Sequence, residues 1–86
     1  KDYSSAINFY QQSLKLAQDL HDRTLVADVL SDLADTYKKQ ENFAAALESY
    51  QQSLVIARKL NDRASAAQIL FGGIGDTYEL QKDYQT

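Results

Sequence analysis

Eighty-six residues make one domain at most, and 44% hydrophobic with 24% charged residues is the composition of an ordered chain rather than a disordered one. The chain has no cysteine, so it can hold neither a disulfide nor a thiolate metal site, and its net charge of −3 argues against a nucleic-acid partner, which leaves a basic stripe. No apolar run approaches the roughly 18 residues of a membrane span and no signal pattern opens the chain, so no membrane contact and a cytoplasmic location are expected.

The first element is a helix expected from about residue 4 to 20. Ile7, Tyr10, Leu14 and Ala17 fall four, three and four apart, which keeps them on one face. Phe9, Leu16 and Leu20 broaden that apolar face, and Asp2 suits an N-cap whose carboxylate accepts a first-turn N–H. His21-Asp22-Arg23 makes a turn in which Asp22 caps the next helix. His21, the lone histidine, reads as a turn residue, since no second histidine or nucleophile spacing accompanies it.

A second helix is expected over about 24–40, with Val26, Leu30, Leu33, Ala34 and Tyr37 buried and Asp28, Ser31, Asp32 and Asp35 on another side. A third, about 44–60, is capped by Asn42 and buries Leu47, Tyr50, Leu54 and Ala57. A fourth, about 64–81, buries Leu70, Phe71, Ile74 and Tyr78.

The order is that of a repeat. Tyr10-Gln11-Gln12-Ser13-Leu14 returns as Tyr50-Gln51-Gln52-Ser53-Leu54, and Ala6, Ala17, Leu20, Asp22, Arg23, Ala27 and Leu30 each recur forty residues on. Lys1-Asp2-Tyr3, Glu41-Asn42-Phe43 and Lys82-Asp83-Tyr84 each open a unit. The second unit has one residue too many before Tyr78. Slack in the turn at 62–64 is the favoured explanation, because aligning the fourth helix from its C-terminal side keeps most of the apolar stripe. The alternative is one wide turn, a π-bulge, near Gly72-Gly73. Gly72, Gly73 and Gly75 each cost up to about 1 kcal/mol of helix propensity, so the fourth helix is expected to be the weakest.

Leu30-x2-Leu33-Ala34-x2-Tyr37 followed by Ala46-x3-Tyr50 resembles the tetratricopeptide repeat, and Phe71-x2-Ile74-Gly75-x2-Tyr78 matches its first half again. Ala34 and Gly75 occupy the small-residue slot, where two helices cross closely. The forty-residue spacing and Asp-Arg turns are similar to the long repeats of spindle-orienting scaffolds, kinesin light chains and bacterial multi-repeat proteins, although the usual proline is missing. The resemblance implies an all-α solenoid, a right-handed superhelix of four helices in antiparallel pairs. It places the second helix of one repeat at 1–21, a full repeat at 22–61, the first helix of the next at 62–81, and the start of a further second helix at 82–86. That phase, with a first residue other than methionine, suggests a piece of a longer scaffold.

In the resembled family the first helix of each repeat lines a concave groove that binds peptides or proteins. Carried over by position, Asp28, Ser31, Asp32, Asp35 and Lys39 of the second helix and Gly72, Gly73 and Asp76 of the fourth should face it. Asp28, Asp32 and Asp35 share one helical face and would suit a lysine or arginine of a partner. The same spacing equally describes a solvated polar face. Lys38 and Lys39 either complement the negative end of their helix or meet an acidic partner residue. Gly72 and Gly73 either admit a ligand backbone or ring, or mark a frayed helix. Family members that grip C-terminal carboxylates use Lys, Arg and Asn at positions that here hold Asp, Ser and Gly. No metal or other cofactor is implied, and no nucleophile–base pair can be assembled, so no enzyme is expected. The reading is a non-enzymatic protein- or peptide-binding module. A structural spacer or self-assembling unit is the alternative, with weak head-to-tail association through the first and fourth helices.

Overall fold

A computed structural model describes residues 2–84. Three helices of equal length, α1 (Tyr3–Asp19), α2 (Arg23–Lys39) and α3 (Phe43–Lys59), are followed by a fourth in three parts. These parts are α4 (Arg63–Gln68), a π-helical segment (Ile69–Gly75) and α5 (Asp76–Asp83). Adjacent helices pack on one another, and α2 makes its most extensive contact with α3. The result is an α-solenoid of antiparallel helix pairs, 43 × 30 × 15 Å along its principal axes.

The three turns are built alike. His21, Glu41 and Asn61 have φ of 56°, 68° and 61°, the left-handed conformation that ends a helix. Each donates its N–H back to a carbonyl three residues earlier, and the next residue donates to one five earlier: Asp22 to Ala17, Asn42 to Tyr37, Asp62 to Ala57. Those same three residues then cap the following helix, their side chains accepting from the N–H groups of Leu25, Ala45 and Ser65. Asp2 caps α1 in the same way through Ser5. The expected caps are therefore in place, and His21 is the left-handed turn residue.

The turn before α4 has the same length as the other two, so the extra residue is not there, contrary to the favoured expectation. It lies in the π-helical segment, where one turn holds a fifth residue. As far as the first residue of the segment the fourth helix keeps step with α2 at a spacing of forty: buried Ile69 matches buried Val29. Beyond it the step is forty-one, and buried Thr77 matches buried Thr36. The wide turn keeps both halves of the helix facing the core, which an α-helical insertion would rotate apart.

The core joins α2, α3 and the fourth helix through Ala34, Ala46, Tyr50, Leu54, Ala57 and Ile69, with Tyr37, Ala66 and Ile74 against it. Leu33 is also buried. The apolar expectation fails on the two outer helices. Leu70, Phe71 and Tyr78 are exposed, Phe71 at 86%, and so are Phe9, Leu16 and Leu20. The physical reason is position: α2 and α3 are flanked on both sides, whereas α1 packs chiefly on α2 and the fourth helix chiefly on α3, with its π-helical segment also touching α2, so one side of each outer helix stays open among the described residues.

Gly75 is exposed, and a side chain there would approach only its own segment, the Leu70 carbonyl at 3.1 Å. The close crossing on the fourth helix is at Gly73 instead, where an added Cβ would lie 2.7 Å from the Tyr50 ring. The expected break after Gln81 is absent too. The helix runs on to Asp83, and Tyr84 turns its ring to Phe43 at 5.6 Å between centroids and donates its hydroxyl to Glu41. Of the further helix expected at 82–86, residues 85 and 86 lie outside the described residues.

Candidate binding groove

Side by side, α2 and the fourth helix wall a groove of about 730 Å³ whose floor is α3. The α2 wall presents Asp28, Ser31, Asp32, Asp35, Lys38 and Lys39, and the opposite wall presents Asp62, Ser65, Gln68, Gly72 and Gly73. Tyr50, Ser53 and Ala57 of α3 form the floor. Seven of the eight residues expected from the sequence therefore come together. Asp76 does not line the groove; it pairs with Lys38 at 3.0 Å.

Polar atoms of the floor are matched to the α2 wall in antiparallel order. The Tyr50 hydroxyl donates to the Asp35 carboxylate. One turn further along α3, Ser53, fully buried, donates to the Ala27 carbonyl at 2.8 Å and lies 2.8 Å from the Ser31 hydroxyl. The single Ser53 proton is used on Ala27, so Ser31 is the donor of that second bond. Ser31 thus offers the groove lone pairs only. Asp35, accepting the hydrogen bond of the Tyr50 hydroxyl, is committed to the fold. Burial first, then the hydrogen bond to Asp35 and the charges of Asp35 and Asp76, push the Tyr50 phenol far above its ordinary range, so it remains a donor.

Lys38 spans the groove's end. Its ammonium donates to the Gly72 carbonyl at 3.1 Å and to Asp76 at 3.0 Å, and lies 5.8 Å from the centre of the Tyr50 ring. Gly72 and Gly73 sit in the wide turn, which loosens backbone pairing. Lys38 takes up the Gly72 carbonyl, and the Thr77 hydroxyl takes up that of Gly73 at 2.7 Å. Lys38 is therefore a strut from α2 to the fourth helix, a third role beside the two anticipated for it. Gly73 is closed by the Tyr50 ring, while nothing stands within 4 Å of a Cβ on Gly72, so of the pair only Gly72 leaves open space.

Asp28 and Asp32 keep their charges unpaired among the described residues. Partial burial, and then repulsion from Asp35 and Asp28, hold the Asp32 carboxyl above its ordinary range. At the start of the opposite wall, Asp62 is held below that range by hydrogen bonds from the Ser65 hydroxyl and backbone, so it is ionised at neutral pH. The groove is acidic over most of its length and basic at the end of α2, where Lys39 is exposed.

A carboxyl whose folded pKa is raised weakens the fold wherever it is charged, and the penalty vanishes once pH falls below its unfolded value. Asp32→Asn is thus expected to raise the melting temperature at neutral pH, with the gain shrinking to nothing below the ordinary aspartate range. Melts of both proteins across that range check it. A gain independent of pH would mean the Asp32 charge is not under strain.

The pattern of the tetratricopeptide repeat matches residues 1–59 and again 25–86. The chain belongs to the tetratricopeptide repeat family. No curated protein matches it. Tetratricopeptide repeats are generally protein-interaction modules and typically non-enzymatic scaffolds.

The polar pairs under the groove went unrecognised in the sequence, yet a signal was present. A tetratricopeptide repeat core that preserves Tyr and Ser in both copies of Tyr-Gln-Gln-Ser-Leu must give each hydroxyl a partner when buried. Asp35 and Ala27, eight residues apart on the antiparallel helix, are where those partners stand.

Proposed function

We propose that this tetratricopeptide repeat chain binds a protein or peptide segment rich in lysine or arginine along the groove between α2 and the fourth helix. The observation that carries the reading is the pair of unpaired carboxylates, Asp28 and Asp32, on one wall of an open cleft whose other wall begins at the ionised Asp62. A cationic side chain laid between them relieves the mutual repulsion of the aspartates. Ser31 supplies a hydrogen-bond acceptor beside them, and the bare Gly72 lets a ligand backbone approach the opposite wall. Lys39, at the far end, suits an acidic residue or carboxylate of the same segment and would set its direction.

Titration of a Lys/Arg-rich peptide and an acidic peptide of equal length, each at low and high salt, tests the proposal. The basic peptide should bind, and weaken as salt rises, because exposed charges are screened beyond about 10 Å at 0.1 M. Asp28→Asn with Asp32→Asn should remove that binding while leaving the fold intact. Equal affinity for both peptides, or none for either, would leave the spacer role instead.

A further inference from the structure

We propose that Lys38 is the positioning residue of the groove: it holds the wide turn of the fourth helix in place, and the groove takes up its basic segment only while it does so. The inference rests on the peptide-binding reading and adds to it a residue whose own charge repels the ligand it serves. The stretch that must absorb the extra residue is bounded by two buried anchors, Ile69 and Thr77. Between them a widened turn can sit at more than one residue, because it displaces a backbone pairing wherever it falls. Contacts from outside the helix choose the place. The Tyr50 ring closes over Gly73, and the Lys38 ammonium takes the Gly72 carbonyl at 3.1 Å and the Asp76 carboxylate at 3.0 Å. Gly72 lies within the π-helical segment and Asp76 opens α5, so one ammonium clasps the segment to the helix that follows it. The same ammonium stands 5.8 Å from the centre of the Tyr50 ring, which it braces against Gly73.

This clasp forms part of the groove itself. The Lys38 side chain is 16% exposed and lines the cleft together with Gly72. Without the ammonium the Gly72 carbonyl loses its partner, and the turn is free to shift to a place where its carbonyls are better paired. A ligand would then have to order the Gly72–Gly73 wall as it binds, which costs affinity. Charge alone gives the opposite expectation. Removing Lys38 takes a cation from the groove and frees the Asp76 carboxylate, and both changes should attract a basic segment more strongly. Geometry and charge therefore act with opposite signs at this one residue.

Lys38→Met keeps most of the side chain's length and removes its charge and its donors. Amide exchange across residues 69–77 should quicken by at least about tenfold, the shift that follows loss of a charged hydrogen bond, while α1 and α3 keep their protection. The Lys/Arg-rich peptide should bind this variant more weakly than the native chain, in spite of the gain in negative charge. Lys38→Arg, which restores charge and donors, should recover both the slow exchange and the affinity. Asp76→Asn breaks one arm of the clasp and should loosen the same amides by less, which decides the matter if the Lys38→Met chain does not fold. Equal or tighter binding by Lys38→Met, unchanged exchange, or no rescue by Lys38→Arg would each overturn the proposal. A native chain that binds no basic peptide would instead remove the peptide-binding reading, and the exchange rates alone would decide whether Lys38 holds the turn.

Discussion

Leu54→Ala is expected to cost about 2–5 kcal/mol, the range for emptying a well-packed leucine site. Leu54 is buried in the cluster that joins α2, α3 and the fourth helix, where little can collapse into the space left behind. Domains carry roughly 5–15 kcal/mol in all, and one this small sits toward the lower end, so the variant should be partly unfolded at 37 °C. Leu14, its counterpart in the repeat, is half-buried on α1, which packs chiefly on α2. Leu14→Ala should cost about 1–2 kcal/mol, since less apolar area leaves water and the site can relax. Urea melts of the two variants side by side measure the difference. Equal losses would mean that α3 is no more enclosed than α1, contrary to the solenoid order.

Gly73→Ala is expected to destabilise by about 1–3 kcal/mol, the usual result of forcing atoms into a filled core. Alanine improves helix propensity by up to about 1 kcal/mol, so on local grounds alone the substitution should help. The new methyl, however, falls 2.7 Å from a Tyr50 ring carbon. That ring cannot step aside freely: it is 2% exposed, and its hydroxyl is tied to Asp35. Gly72→Ala, one residue earlier, meets nothing within 4 Å and should stabilise by up to about 1 kcal/mol. Opposite signs at adjacent glycines are the result to look for in thermal melts. Two stabilising substitutions would show that the Tyr50 ring yields, and that the wide turn does not depend on its contact with Gly73.

The parts of the fold visible in the sequence are those written twice. Helix boundaries, the caps at Asp2, Asp22 and Asn42, and the enclosure of Tyr50, Leu54 and Ala57 all follow from local pattern and its recurrence. Position within the stack is not written locally. Phe9, Leu16, Leu70 and Phe71 are as apolar as any core residue, and only the number of neighbouring helices decides whether they are covered. The extra residue was hidden for another reason, because sequence alignment weighs apolar matches and turn length alike. The turn proves incompressible and the helix pliable. In the groove, helical spacing placed Asp28, Ser31, Asp32 and Asp35 on one wall. Pairing across helices decided which remained available, withdrawing Asp35 into a bond with Tyr50 and Asp76 into one with Lys38.

The double duty of Asp22, Asn42 and Asp62 has a consequence for how such a chain can change length. Each closes the helix behind it with its backbone N–H and opens the helix ahead with its side chain, so the joint contains no spare residue. An insertion there would detach one function from the other and swing the following helix out of line. Length variation is driven into the rods, where a single widened turn absorbs a residue and leaves the joint angles alone. Loops are ordinarily where a protein accepts insertions. In this chain the connectors are the fixed gauge, and the helices they join are the adjustable parts.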